Sequence, residues 1–263
     1  MSAPVAPKGM VDNLPGYDGA SADELTFARA YLAPGEMDPA VMTLLGDADR
    51  VAERERVRAQ RRADDWPALG HYREANAALA GRPVEAVFIG DSITEMWTVA
   101  QPDLFRDGVV GRGISGQTSA QILLRFMADV VALRPRVVHL MCGVNDVAGN
   151  TGPTTPGDFH DNIRAMVALA KAHGIRVVLG SLTPVTALPW SPEVHDPRGR
   201  VIEQNAWLRA FAAEQGLPFA DHFAVLADAG GALRADLGRD GVHPQLSGYE
   251  LMRPVAEAAL RRA

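Results

Sequence analysis

The residues of this chain that could do chemistry stand in four short segments, far apart in sequence. Ser92 lies in GDSITEMW, Gly116 in GRGISGQTSAQ, Asn145 in CGVNDVAGN, and Asp240 and His243 in RDGVHPQLSGYELM. A serine hydroxyl is a poor nucleophile until a neighbouring imidazole takes its proton. Histidine suits that task, because an imidazole gains and loses its proton near neutrality. The imidazole needs a carboxylate to fix its tautomer. Asp240, three residues before His243 in a turn with Gly241, can fold back onto Nδ1. A developing oxyanion needs donors: main-chain N–H groups beside glycine, where the backbone can come close, and a carboxamide such as that of Asn145. Together these are the parts of an acyl-transfer site.

Such scattered residues need elements to position them. From Val84 onward, short apolar runs alternate with helix-length segments. VEAVFIG (84–90), GVVG (108–111), RVVHLMCG (136–143), IRVVLGS (175–181) and LPFAD (217–221) read as strands. Helical patterns lie near 117–133, 158–173, 198–215 and 246–261. This alternation predicts an α/β fold, a parallel sheet covered by helices on both faces. In such sheets the chemistry sits beyond the carboxyl ends of the strands. Ser92, Gly116 and Asn145 all follow predicted strand ends. Before Val84, residues 1–20 are rich in Pro, Gly, Asp and Ala and predict a flexible arm. Residues 21–83 predict a helical N-terminal extension that opens with a Ser21-x-x-Glu24 capping box and runs on through Asp38 to Leu79. Residues 84–263 predict the catalytic domain. The helices near 38–79 are expected to carry a homo-oligomeric contact.

Composition narrows the partners. Hydrophobic residues make up 47% and charged residues 22%, ordinary values for a soluble globular protein. A net charge of -6 argues against nucleic acid as the main partner. The lone Cys142 excludes an intramolecular disulfide and a cysteine-based structural zinc site. No apolar run approaches the roughly 20 residues of a membrane span. The N-terminal stretch lacks the charged-then-apolar layout of a signal peptide. The expectation is a cytoplasmic protein without a membrane partner, although a chain shorn of its leader would look the same.

A competing function deserves its own test. Gly111, Gly113 and Gly116 spell G-x-G-x-x-G, the loop that cradles a dinucleotide. That loop wants an acidic residue about 20 positions on to hold the ribose. Here Arg136 stands there, and a complete strand and turn ending in Ser92 precede the glycines. Dinucleotide binding is therefore the remote alternative. A fold kept as a binding module, without catalysis, is a third. The other candidates read as structural: Asp91 and Asp146 as turn residues, Asp221 as a helix cap, Cys142 as an inert buried thiol. His139 reads as an interior histidine, and His71, His160 and His173 as surface residues.

The four segments resemble, in order, the four sequence blocks of the SGNH (GDSL-type) esterase and lipase superfamily. The resemblance covers about 180 residues, from Val84 to the C-terminus. The first block reads Gly-Asp-Ser-Ile where the short family name has leucine, which keeps an apolar residue there. The resemblance implies a three-layer α/β/α, flavodoxin-like fold with five parallel strands. It implies Ser92 as nucleophile, His243 as general base and Asp240 as the acid that orients it. The oxyanion hole would be the Ser92 and Gly116 amides with the Asn145 side chain. No cofactor is expected, and no metal either: Asp240 and His243 could be two ligands, but no third stands at a compatible spacing. Within the superfamily the chain is most similar to bacterial acetylhydrolase-type members. That similarity implies a small-molecule ester substrate, an acetyl-type group on a carbohydrate or another polar alcohol. Aryl esters, short-chain lipid esters and thioesters are the alternatives. By position in the chain, Trp97, Trp190 and His195 are the expected substrate contacts, with packing under the nucleophile turn the equal alternative for Trp97.

Overall fold

The five apolar runs form one all-parallel sheet in a computed structural model that describes residues 22–36, 43 and 47–263. The strands are β1 (Ala86–Gly90), β2 (Val109–Gly113), β3 (Val137–Met141), β4 (Arg176–Gly180) and β5 (Phe219–Ala220). Their order is β2-β1-β3-β4-β5. The chain moves from β1 outward to β2, then returns past β1 to lay down β3. The crevice beyond the ends of β1 and β3 is thus the point where the winding reverses, the usual ligand position in such sheets. Ser92 and Asn145 follow those two strands.

Side chains alternate along each strand, so the two faces of the sheet build two separate cores. On one face Val87, Ile89, Val138, Leu140, Val177 and Leu179 pack with Ile122, Phe126, Ile163, Met166 and Leu208. These last come from α5 (Ser119–Asp129), α7 (Pro156–Ala172) and α8 (Pro197–Gln215). On the other face Phe88, Val137, Met141 and Val178 pack with Tyr31, Trp97, Tyr249 and Met252. These come from α1 (Ala22–Leu32), α4 (Ser92–Ala100) and α10 (Leu246–Arg262). The result is the three-layer α/β/α arrangement expected, with α1 as an added member of one outer layer.

The N-terminal segment differs from expectation in one respect. The helical pattern of 38–79 is not one run: α2 (Ala48–Asp64) and α3 (Arg73–Ala78) are separated by a turn at Pro67 and Gly70. Asp65 receives the Leu69 and Gly70 N–H groups there, at 2.9 and 2.6 Å, and this local bonding replaces the helical ladder. The turn lies along α5. Gln121 donates to the Trp66 carbonyl at 2.7 Å and Gln117 to that of Pro67 at 3.0 Å. Asn76 of α3 donates to Asp129 at 2.7 Å and accepts from Arg112 at 2.8 Å. The expected arm at 1–20 and the Ser21 cap lie outside the described residues. The remaining elements are α6 (Val144–Val147) and α9 (His222–Leu226).

Candidate active site

The loop after β1 turns directly into α4, and Ser92 is the first residue of that helix. Its N–H is among the first in the helix, which have no partner within it. Asp91 caps the helix by accepting the Ile93 N–H at 3.0 Å. Burial pushes the Asp91 carboxyl up to about 6, against the pull of that hydrogen bond and of His243. The turn role expected for Asp91 is what it performs. Opposite, the loop before α10 carries Asp240 and His243. Ser92 Oγ and His243 Nε2 are 2.9 Å apart, and His243 Nδ1 is 2.7 Å from Asp240 Oδ2. A hydroxyl, an imidazole and a carboxylate therefore form one hydrogen-bonded line. Burial works to raise the Asp240 pKa. Hydrogen bonds from the His243 ring, its charge and the His243 and Val242 N–H groups outweigh burial and hold the carboxyl at about 2.

β2 ends against the turn that carries Ser92. A Cβ on Gly113 would come within 2.1 Å of the Glu95 nitrogen and 2.7 Å of the Asp91 carbonyl, so only glycine fits. Gly111 also packs closely: a Cβ there would meet the Thr98 methyl at 2.3 Å. These glycines serve strand-to-helix contact in this fold. Gly116 sits in an exposed turn with φ of +78°, a conformation that suits glycine. Glu95 of α4 holds that turn by accepting the Ser115 N–H at 2.8 Å, together with a bond from the Ser115 hydroxyl.

Asn145 follows β3 on α6 and is buried. Its carboxamide orientation is fixed by a chain of bonds that begins at an unambiguous donor. The indole N–H of Trp190 can only donate, and it does so to Asn150 Oδ1 at 2.9 Å. Asn150 Nδ2 then donates to Asn145 Oδ1 at 2.8 Å and to the Gly116 carbonyl at 3.2 Å. Asn145 Nδ2 donates one N–H to the Gln117 carbonyl at 3.0 Å. Its second N–H is left for another acceptor. Asp146 beside it accepts from the Ser119 N–H at 2.9 Å and from the Ser119 hydroxyl at 2.5 Å, and burial raises its pKa to about 6. That is the loop role expected of it.

Other expectations divide. Trp190 overhangs the site: the residue is 44% exposed and its ring centroid is 6.2 Å from that of His243. Trp97 does not reach the site. It is fully buried beneath the sheet edge, against Phe88, His139, His222 and Tyr249, with its N–H on Gln101 at 2.9 Å. Five residues past Ser92, it lies about 140° round the helix, on the opposite face. His195 stands exposed before α8, where its carbonyl accepts from Arg200 at 3.1 Å. Among the described residues no hydrogen bond or ring contact joins it to Ser92, Asn145 or His243. Asp221 caps α9 through the Ala224 N–H at 3.2 Å, as expected. Cys142 is buried, which pushes its thiol pKa up, so it is a poor nucleophile. His139 is buried and paired with His222 at 3.0 Å. His71 is not a free surface residue: it is half-buried, and burial with nearby arginines pushes its pKa down to about 3.

Three contributors escaped the sequence. Asn150 links the rim to the carboxamide. Arg125 is completely buried and ties the floor of the site together, donating to the Gly90 carbonyl at 2.9 Å, Gln117 at 2.5 Å and Asp129 at 2.9 Å. Tyr31 of α1 brings its hydroxyl 3.0 Å from Asp240 Oδ1, across 209 residues of sequence. Asn150 closes the CGVNDVAGN segment, where its residue type gave it no role, and Arg125 and Tyr31 lie outside the four segments.

A family model, the GDSL-like lipase/acylhydrolase family, matches residues 88–251. The chain belongs to that family and is, by class, a carboxylic ester hydrolase of the SGNH superfamily. It is similar to the solved structure of a GDSL-like lipase from Bacteroides thetaiotaomicron, with 38% identity and a TM-score of 0.72 over 75% of this chain and 99% of that one. A protein of Bacteroides fragilis described as an acylhydrolase is similar to the same degree, with 38% identity and a TM-score of 0.73 over 75% of this chain and 98% of that one. An acetylxylan esterase from Geobacillus stearothermophilus shares the fold at 21% identity and a TM-score of 0.56, over 67% of this chain and 94% of that one. An uncharacterized lipoprotein of Bacillus subtilis, YqeF, is 30% identical over 80 residues, 29% of this chain; the match spans about a third of that relative's length, 33%. Among the described residues no helix is long and apolar enough to cross a membrane.

Proposed function

We propose that the protein is a serine esterase that removes short acyl groups, acetyl above all, from a carbohydrate or another small polar alcohol through an acyl-enzyme. The observation that carries the mechanism is the unbroken line from Ser92 Oγ to His243 at 2.9 Å and on to Asp240 at 2.7 Å. In this reading His243 Nε2 takes the Ser92 proton as Oγ attacks the ester carbonyl. The carbonyl oxygen becomes an oxyanion, received by the Ser92 and Gly116 N–H groups and the second N–H of Asn145. The imidazolium then gives its proton to the departing alkoxide. Water enters, gives a proton to His243 and attacks the acyl group. As the second tetrahedral intermediate collapses, the acid leaves and Ser92 regains its proton. Asp240 stays ionised throughout and holds the Nδ1 proton.

The preference for a small acyl group rests on the rim. Trp190, Asn150 and Asn145 are bonded side by side and wall the space next to the oxyanion position. The half-exposed indole offers a flat apolar face with a polar edge, suited to a compact, partly polar substrate. The acetylxylan esterase that shares the fold gives that substrate class a precedent. A series of nitrophenyl esters of rising chain length tests it, followed by acetate release from acetylated sugars. The expected result is kcat/KM highest for acetate and falling steadily with length, with acetate released from the sugar. A maximum at octanoate, with no acetate released, would favour the lipid-ester alternative.

A further inference from the structure

We infer that Tyr31, on the N-terminal helix α1, is a positioning residue for the acid and base of this site. The inference rests on Asp240 and His243 acting as proposed above. A carboxylate that orients an imidazole must itself be held, because rotation about its own bonds would swing Oδ2 off Nδ1. Asp240 Oδ1 is held by the Val242 N–H at 2.9 Å and the His243 N–H at 2.8 Å, both from its own turn. Tyr31 is the partner from outside that turn. Its hydroxyl lies 3.0 Å from Asp240 Oδ1 and 2.8 Å from the His243 carbonyl, and it accepts the Arg239 N–H at 3.2 Å. One buried phenol thus touches residues 239, 240 and 243 and ties both ends of the turn that carries acid and base.

The helix is fastened in place for this. Tyr31 is 4% exposed and Leu32 5%, both within the core that includes Met96 and Trp97. Arg239 reaches back to the Ala33 and Gly35 carbonyls just past the helix end, both at 2.5 Å. The Tyr31 ring also stands edge-on to the His243 ring, with centroids 6.2 Å apart at 84°. Burial, then the neighbouring Asp240 charge, push the ionisation of this phenol upward, so it remains a donor in the working pH range. The helix α1 therefore helps to hold the acid and base in place.

A buried tyrosine hydroxyl also needs a partner for stability alone, and the test must separate that role from positioning. Tyr31→Phe, Asp240→Ala and the double variant are compared in the full-length protein with nitrophenyl acetate. Losing a hydrogen bond to a charged group predicts a drop in kcat of about tenfold for Tyr31→Phe, with KM unchanged. With Asp240 already removed, Tyr31→Phe should change kcat less than about twofold, because the two act through one bond. The far-downfield proton resonance of the His243–Asp240 bond should also move in Tyr31→Phe. A folded Tyr31→Phe with unchanged kcat overturns the inference. So does an equal loss in both backgrounds, which would mean a purely structural role. If Asp240→Ala itself leaves kcat intact, it is the proposed triad that fails. Should Tyr31→Phe not fold, 3-fluorotyrosine at position 31 keeps ring and hydroxyl but makes a stronger donor. It should retain kcat and shift the same resonance, and an unmoved resonance overturns the inference.

Discussion

Asn145 shows how a single side chain is held for the oxyanion role proposed for it. One of its N–H groups is spent on the Gln117 carbonyl, and its oxygen is occupied by Asn150. The carboxamide therefore cannot flip without losing both bonds, and the remaining N–H keeps one direction. A donor fixed before the reaction needs no reorganisation when charge develops. Asn145→Ala should lower kcat by about a hundredfold or more, with little change in KM, because the bond strengthens only as the oxyanion forms. Steady-state kinetics on nitrophenyl acetate decide this. A raised KM with unchanged kcat would mean that Asn145 binds substrate without aiding the chemistry. At this scale the meeting of Ser92, His243 and Asp240 was legible in sequence, because few residue types suit the roles proposed for them and each stood at a strand end or in the last loop. Asn150, Arg125 and Tyr31 were not. Their residue types are ordinary, and their partners are identified only once the chain is folded.

The elements were legible for a related reason. Apolar runs bounded by glycine or polar residues mark strands, and all five expected strands form, each within a few residues of the expected range. What the sequence could not supply was direction around a helix near a site. For Trp97 the sequence left pocket lining and packing beneath the turn side by side, and helical rotation decides for the second, turning it away from Ser92 into the core beneath Phe88. The break between α2 and α3 falls at Pro67 and Gly70, two breaker residues that the alternation of apolar and charged residues around them masked. The placement of α1 was equally hidden. An amphipathic helix announces that it has a buried face but not which surface receives it. Here the receiving surface is the α4 and α10 side of the sheet, and that choice brings Tyr31 to Asp240.

For the molecule as a whole, the buried titratable groups predict how stability depends on pH. Burial raises Asp91 and Asp146 to about 6 in the fold, so it binds their protons more readily than the unfolded chain does. Stability from these two grows as pH falls from about 6 to about 4, and then stops changing. His71 and His222 are lowered to about 3, and His139 is lowered as well, so the fold resists protonating them. Stability from the histidines is present above the ordinary imidazole range and is lost as pH falls through it towards 3. The two sets oppose each other between about 6 and 4. Below about 4 only losses remain, and Asp240, held at about 2, adds to them. Because three histidines oppose two carboxyls, thermal unfolding followed by circular dichroism should give a shallow decline in Tm from pH 6 to 4.5 and a steep fall below 4. A steep fall beginning at pH 6 would mean that the histidines alone dominate, and a level Tm down to pH 3 would mean that their burial costs nothing.

The central claim is that Ser92 carries the acyl group between two half-reactions. Acid quenching during turnover of nitrophenyl acetate, followed by peptide mass spectrometry, tests it most directly. The expected result is one acetyl group, on the peptide containing Ser92, in the wild-type protein. It should vanish in Ser92→Ala, whose turnover should fall to roughly a thousandth or less. An acetyl group on another residue, or a Ser92→Ala protein that keeps more than a few per cent of wild-type turnover, would contradict it.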